Sequence, residues 1–210
     1  MFSAIGFAQE GSFKAQMAAA ETSSPRALAS SPTTSPDTNG PDVFEVNFFR
    51  NANTAGFASS VVDIVNPGTN ENGGGNVCAK IYVITPDEEL AECCGCMLTP
   101  DQVIELSVNA NLTANAATGT AVHNGAIKIL SSFPVLPCDA GSYFVGGVPT
   151  LRAWITSDTS LTGTHQTVET EFARPDLSGP EYASLVETCA SFEAHLSGHG
   201  ICTCPATLPN

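Results

Sequence analysis

Eight cysteines constrain this chain more than any other feature: Cys78, Cys93, Cys94, Cys96, Cys138, Cys189, Cys202 and Cys204. The number is even, none precedes residue 78, and three fall in one run, Cys93-Cys94-Gly95-Cys96. Only three lysines accompany them, in a sequence rich in Asn, Thr, Ser and Gly. Such a mixture is that of an exported, disulfide-stapled domain, because counts like this persist in oxidising compartments. Eight cysteines allow 105 pairings, so the connectivity stays open at this level. Neighbouring residues on a helical turn point in different directions, so Cys93 and Cys94 are expected to reach different partners. In Cys202-Thr203-Cys204 an extended tail would place both cysteines on one face. The expected result is a dense knot tying a helical turn, a C-terminal helix and the tail onto a sheet.

Charge narrows the partners. With 7 basic and 21 acidic side chains the formal charge is −14. Phosphate binding needs clustered Lys and Arg, so nucleic acid is not an expected partner, nor is an anionic membrane surface. No apolar run approaches the length of a membrane span. Hydrophobic residues make up 42% of the chain and charged ones 13%, enough for a packed core.

Three regions follow from composition. Residues 1–21 open with MFSAIGFAQ, which reads as the end of an apolar signal segment with a small-residue cleavage site. It lacks a basic n-region, and the same residues also read as an ordinary apolar arm. Residues 22–42 contain four prolines among Ser and Thr and form a linker or arm. Residues 43–210 make a β-rich disulfide-stabilised domain.

Within that domain, Val43–Phe49 alternates, with Phe44, Val46 and Phe48 on one face and Glu45 and Asn47 on the other. Phe57–Val65, Val77–Ile84, Val103–Val108, Leu151–Thr156 and Gln166–Ala173 are further strands. Asn124-Gly125, between apolar β formers in Thr120–Leu130, has the preference of a two-residue type I′ hairpin turn. Seven or eight short strands broken by Gly, Pro and Asn predict a mainly β fold, an antiparallel sandwich or barrel. Thr85-Pro86-Asp87-Glu88 and Thr99-Pro100-Asp101-Gln102 carry the capping-box pattern, predicting short helical turns on either side of the cysteine run. Ser178-Gly179-Pro180-Glu181 caps a helix over about 179–196, with Tyr182, Leu185, Val186, Cys189 and Phe192 as its apolar stripe.

Chemistry-bearing patterns are sparse. His195, His199, Cys202 and Cys204 lie within ten residues and are candidate ligands for a tetrahedral Zn²⁺, although their order matches no familiar finger. Residues 66–76 form a polar loop whose oxygens suit a hard divalent cation but which holds a single carboxylate, Glu71, so a hairpin loop is the simpler reading. Glu169 and Glu171 share a strand face and could do acid–base work, or simply face solvent. Cys93 and Cys96 have the bare spacing of a redox pair. There is no nucleophile elbow, P-loop or dinucleotide fingerprint, and His123 and His165 sit in no catalytic pattern. No catalytic residue and no cofactor are expected. Asn111-Leu112-Thr113 is a glycosylation sequon.

The segment NVCAKIYVITPDEELAECCGCMLTPDQVIELSVNANLTAN, residues 76–115, resembles a group of cysteine-rich exported proteins of uncharacterised function from acidobacteria and similar soil bacteria. Glu169-Thr170-Glu171-Phe172 followed by the capped helix with Cys189 fits the same group, and the likeness covers about residues 57–204. The resemblance implies export and supplies no active-site residue. Together these readings predict a secreted structural or interaction protein, a subunit of an extracellular fibre or surface layer. Its N-terminal arm would add a strand to a neighbouring copy or another extracellular protein. The alternative is a secreted metal-binding module or a metal-dependent or carbohydrate-active enzyme.

Overall fold

In a computed structural model, the described residues are 43–205 except 71–72, 144–150, 162–163 and 196. The expectations for residues 1–42 lie outside them. In chain order the elements are β1 (Phe44–Phe49), β2 (Val61–Val65), β3 (Val77–Ile84), β4 (Leu90–Leu98), β5 (Val103–Ser107), β6 (Gly125–Ser132), β7 (Arg152–Leu161), β8 (Thr164–Glu171) and α1 (Gly179–Ala194).

The strands form two four-stranded antiparallel sheets, ordered β1-β6-β3-β4 and β5-β2-β7-β8. Ile81, Val83, Ile127 and Ile129 of the first sheet share one core with Val62, Ile64, Leu106 and Ile155 of the second. This is the expected sandwich. Helix α1 lays Leu185 and Cys189 on the outer face of the first sheet, against Phe44, Tyr82, Leu90 and Leu130. Burial on both faces explains why β3 reads as a nearly continuous apolar run, whereas strands open to water on one side alternate. Ser178 caps α1 as expected, its hydroxyl accepting from Glu181 N at 3.2 Å.

Four local expectations are corrected. The cysteine run is not a helical turn; it lies in β4, paired along its length with β3. The two Thr-Pro-Asp segments are β-turns. Glu88 N donates to Thr85 O at 3.0 Å, Thr85 N donates to Glu89 O at 2.9 Å, and Glu88 has φ 68°. That is a three-residue hairpin loop of a type I turn followed by a left-handed residue, and it leads directly from β3 into β4. At the second, Gln102 N donates to Thr99 O at 3.2 Å, and the Gln102 side chain accepts from Thr99 N at 2.8 Å. The reciprocal bond of a capping box is therefore present, but pairing with β2 carries the next residues into β5. A helix over 86–98 would forfeit the β3 ladder and bury no comparable apolar stripe.

Asn124-Gly125 makes no hairpin. Gly125 opens β6, where a Cβ would lie 2.3 Å from Ile84 O and 3.0 Å from the Phe49 ring. The glycine is needed for close approach, not for turning. In β1 the faces are reversed in part. Phe49 enters the shared core beside buried Glu45 and Asn47, while Phe48 is 70% exposed.

Candidate functional site

Strand alternation organises the sulfur. On β4, Cys94 and Cys96 face the shared core, while Cys93 faces α1. Cys93 is bonded to Cys189 of α1, Cys94 to Cys202 and Cys96 to Cys204, and Cys78 on neighbouring β3 is bonded to Cys138. No cysteine is free. Cys93 and Cys94 do reach different partners, through strand pleat in place of helical twist. The bonds Cys94–Cys202 and Cys96–Cys204 share one register, each spanning 108 residues, with Cα separations of 5.2 and 5.6 Å. The tail carrying Cys202 and Cys204 is also seated by backbone bonds. Cys93 N donates to Gly200 O at 2.8 Å, Cys202 N to Cys93 O at 3.1 Å and Thr203 N to Asn111 O at 3.0 Å. Between the cysteines, Gly95 lets the Cys138 backbone approach: a Cβ there would meet Cys138 O at 2.3 Å.

The four sequence candidates for zinc do not form a ligand set. Cys202 and Cys204 are oxidised, and the Sγ atoms of Cys94, Cys96 and Cys204 lie within 4.8 Å of one another with no histidine among them. His195 ends α1, its N donating to Ser191 O at 3.2 Å and its Nδ1 lying against the same carbonyl. His199 N donates to Ser197 Oγ at 3.3 Å. His123 Nδ1 lies 2.8 Å from Ala52 O, and the His165 side chain lies outside the described residues.

The other candidates resolve into structure. The loop after β2 closes on itself: Asn66 Nδ2 donates to Gly75 O at 2.8 Å, and Asn70 Nδ2 donates to Asn76 O at 3.1 Å. Glu71 lies outside the described residues. Glu171 accepts from Arg152 at 2.6 Å and also pairs with Arg174, while Glu169 is exposed. Asn111 of the sequon donates from Nδ2 to Thr203 Oγ1 at 3.2 Å and accepts from Ser107 N at 2.9 Å, so its amide helps hold the tail.

A titratable cluster that no local pattern announces lies beneath the C-terminal half of α1. Lys80, 1% exposed, donates to Ser142 O at 2.5 Å. Burial pulls its ammonium below the usual lysine range, partly countered by the charges of Asp139 and Glu193. Burial, with the proton shared with Asp139, pushes Glu193 up to about 7. Tyr82 donates to Ala140 O at 2.8 Å, and burial raises its phenol. Separately, Glu92 on β4 is fully buried; burial pushes it up to about 7 although Asn115 N donates to it at 2.6 Å. Lys80 alternates with Ala79 and Ile81 of the shared core and so shares the face of β3 that carries Tyr82. Only the helix packed there makes that face an interior.

Surface features are few. A cavity of about 390 Å³ lies between α1 and the sheet beside Lys128 and Glu181, which form an ion pair. A groove of about 380 Å³ runs past exposed Phe48, Arg50 and Pro86. No set of acid, base and nucleophile converges on either. The sheet edges differ more. The edge of β4 carries the tail through the Cys93–Ile201 bridge, and β1 is bridged through Val46 to Ala173. The β7–β8 ribbon outruns its sheet: β2 pairs with β7 only over Arg152–Thr156, while β7 and β8 pair out to Leu161 and Thr164. No strand among the described residues pairs with the outer edge of β8, and Gln166–Glu171 are exposed. Near its end Asn47 Nδ2 reaches Thr170 O at 3.2 Å. No helix of the described residues is long and apolar enough to cross a membrane.

No family model matches the chain, and no curated protein is similar to it. Among solved structures, the crystal structure of Thermotoga maritima 1070 is similar at a TM-score of 0.42 and 10% identity, over 67% of this chain and 99% of that one.

Proposed function

We propose that this protein is an exported structural or interaction module, locked by its disulfides, that joins copies of itself into an extracellular assembly by strand addition. The observation that carries this reading is the β7–β8 ribbon. An isolated two-stranded ribbon is marginal in water, and β8 ends its sheet with no further strand among the described residues, so an added strand would extend the ladder. Four disulfides support an oxidising destination. The occupant of the edge is the N-terminal arm of a neighbouring copy. Forty residues of arm span up to about 130–140 Å fully extended, ample to reach another subunit.

Light scattering and electron microscopy of the full chain, set beside a chain lacking residues 1–42, test this. Concentration-dependent assembly that disappears with the arm is the expected result. A monomer at every concentration, or assembly indifferent to the arm, contradicts it.

A further inference from the structure

We propose that Cys94, Cys96, Cys202 and Cys204, when reduced, form a tetrathiolate site for a soft divalent cation such as Zn²⁺, which is released as the two disulfides form. The inference is independent of the assembly reading. Two observations carry it. First, the sulfurs are already gathered: Sγ of Cys94, Cys96 and Cys204 lie within 4.8 Å of one another, and the fourth, Cys202, is bonded to Cys94. A tetrahedral zinc with bonds of about 2.3 Å has sulfur–sulfur edges of about 3.8 Å, so a small outward shift of paired sulfurs satisfies the geometry. Among the described residues no other trio of His, Cys, Asp or Glu ligand atoms comes this close.

Second, opening these two disulfides does not release the tail from β4. The backbone bonds of Cys93 with Gly200 and Cys202, and those of Asn111 with Thr203, hold it in place. Packing of Leu185 and Cys189 against Phe44, Tyr82, Leu90 and Leu130 keeps α1, from which the tail descends, on the same sheet. The thiolates are therefore presented by β4 and by the tail bridged to its edge. Three of the four cysteines are buried, which excludes competing water from the ion.

The exchange balances. One Zn²⁺ held by four thiolates reacts with two molecules of a small disulfide. Each pair of protein sulfurs gives up two electrons and forms one S–S bond. Four small thiolates and free Zn²⁺ are the products. The same four sulfurs thus hold an ion in reducing surroundings and crosslink the tail in oxidising ones.

The test is titration of the reduced full chain with Zn²⁺, and with Cd²⁺ read by thiolate-to-metal absorption. One ion per chain with four thiolates is expected, together with the circular dichroism of a β fold. Binding should be lost in Cys202→Ser/Cys204→Ser and retained in Cys78→Ser/Cys138→Ser. Adding a small disulfide should release the ion and yield Cys94–Cys202 and Cys96–Cys204. Absence of stoichiometric binding, binding that survives loss of Cys202 and Cys204, or equal binding by the urea-unfolded chain would each overturn the proposal.

Discussion

At the scale of single residues, two carboxyls set how stability responds to pH. Glu92 and Glu193 both sit at about 7 in the folded protein, above the ordinary 4.5. A carboxyl raised on folding holds its proton in the native state after the unfolded chain has lost it. Their contribution to stability is therefore fullest below about pH 4.5, declines as pH climbs towards 7, and levels off above it. Denaturant midpoints should fall between pH 5 and 8, with Glu92 accounting for roughly 2–3 kcal/mol of the decline. Glu92→Gln should flatten that part of the profile and leave the part due to Glu193, while an unchanged slope would show that Glu92 titrates normally. Gly95 acts through space alone. Gly95→Ala drives a methyl into Cys138 O and should cost about 1–3 kcal/mol in denaturant melts, whereas Gly179→Ala, with nothing nearby, should not show that loss.

Elements depend on what lies beside them. A run of β formers bounded by polar and turn residues marks β3, and the Ser178 cap with its apolar stripe marks α1, because those signals are local. Ser178→Ala should lower helix and protein stability by about 1 kcal/mol, read as a drop in melting temperature. The same kind of local signal misled at Thr85 and Thr99. A capping box and a Pro-Asp turn share their first residues, and only pairing with β3 and β2 decides between them. The cysteine strand β4 was hidden for a related reason: Glu92, Cys93, Cys94 and Gly95 do not alternate in hydropathy, since both faces are buried. The zinc set of His195, His199, Cys202 and Cys204 was drawn from proximity in sequence. The partners of Cys202 and Cys204 lie 108 residues away, a distance no local pattern conveys.

For the whole molecule, the disulfides tie α1, the tail and the segment after β6 to the first sheet, and the second sheet is held to it by the shared core, with no disulfide. One fastens α1 to β4, two fasten the tail, and one fastens the segment after β6 to β3. The first link to close a loop of about a hundred residues removes denatured-state freedom worth about 4–5 kcal/mol in the chain-entropy account, and links that share that loop add less each. Cys93→Ala/Cys189→Ala should therefore lower the unfolding midpoint strongly, and a small change would mean that α1 is held by packing alone. The most direct measurement of the central claim is peptide mapping of the native protein without reduction, with its intact mass. The account predicts a mass eight hydrogens below that of the reduced chain and the four links Cys78–Cys138, Cys93–Cys189, Cys94–Cys202 and Cys96–Cys204. Free thiols, or Cys93 and Cys94 exchanged between α1 and the tail, would contradict it.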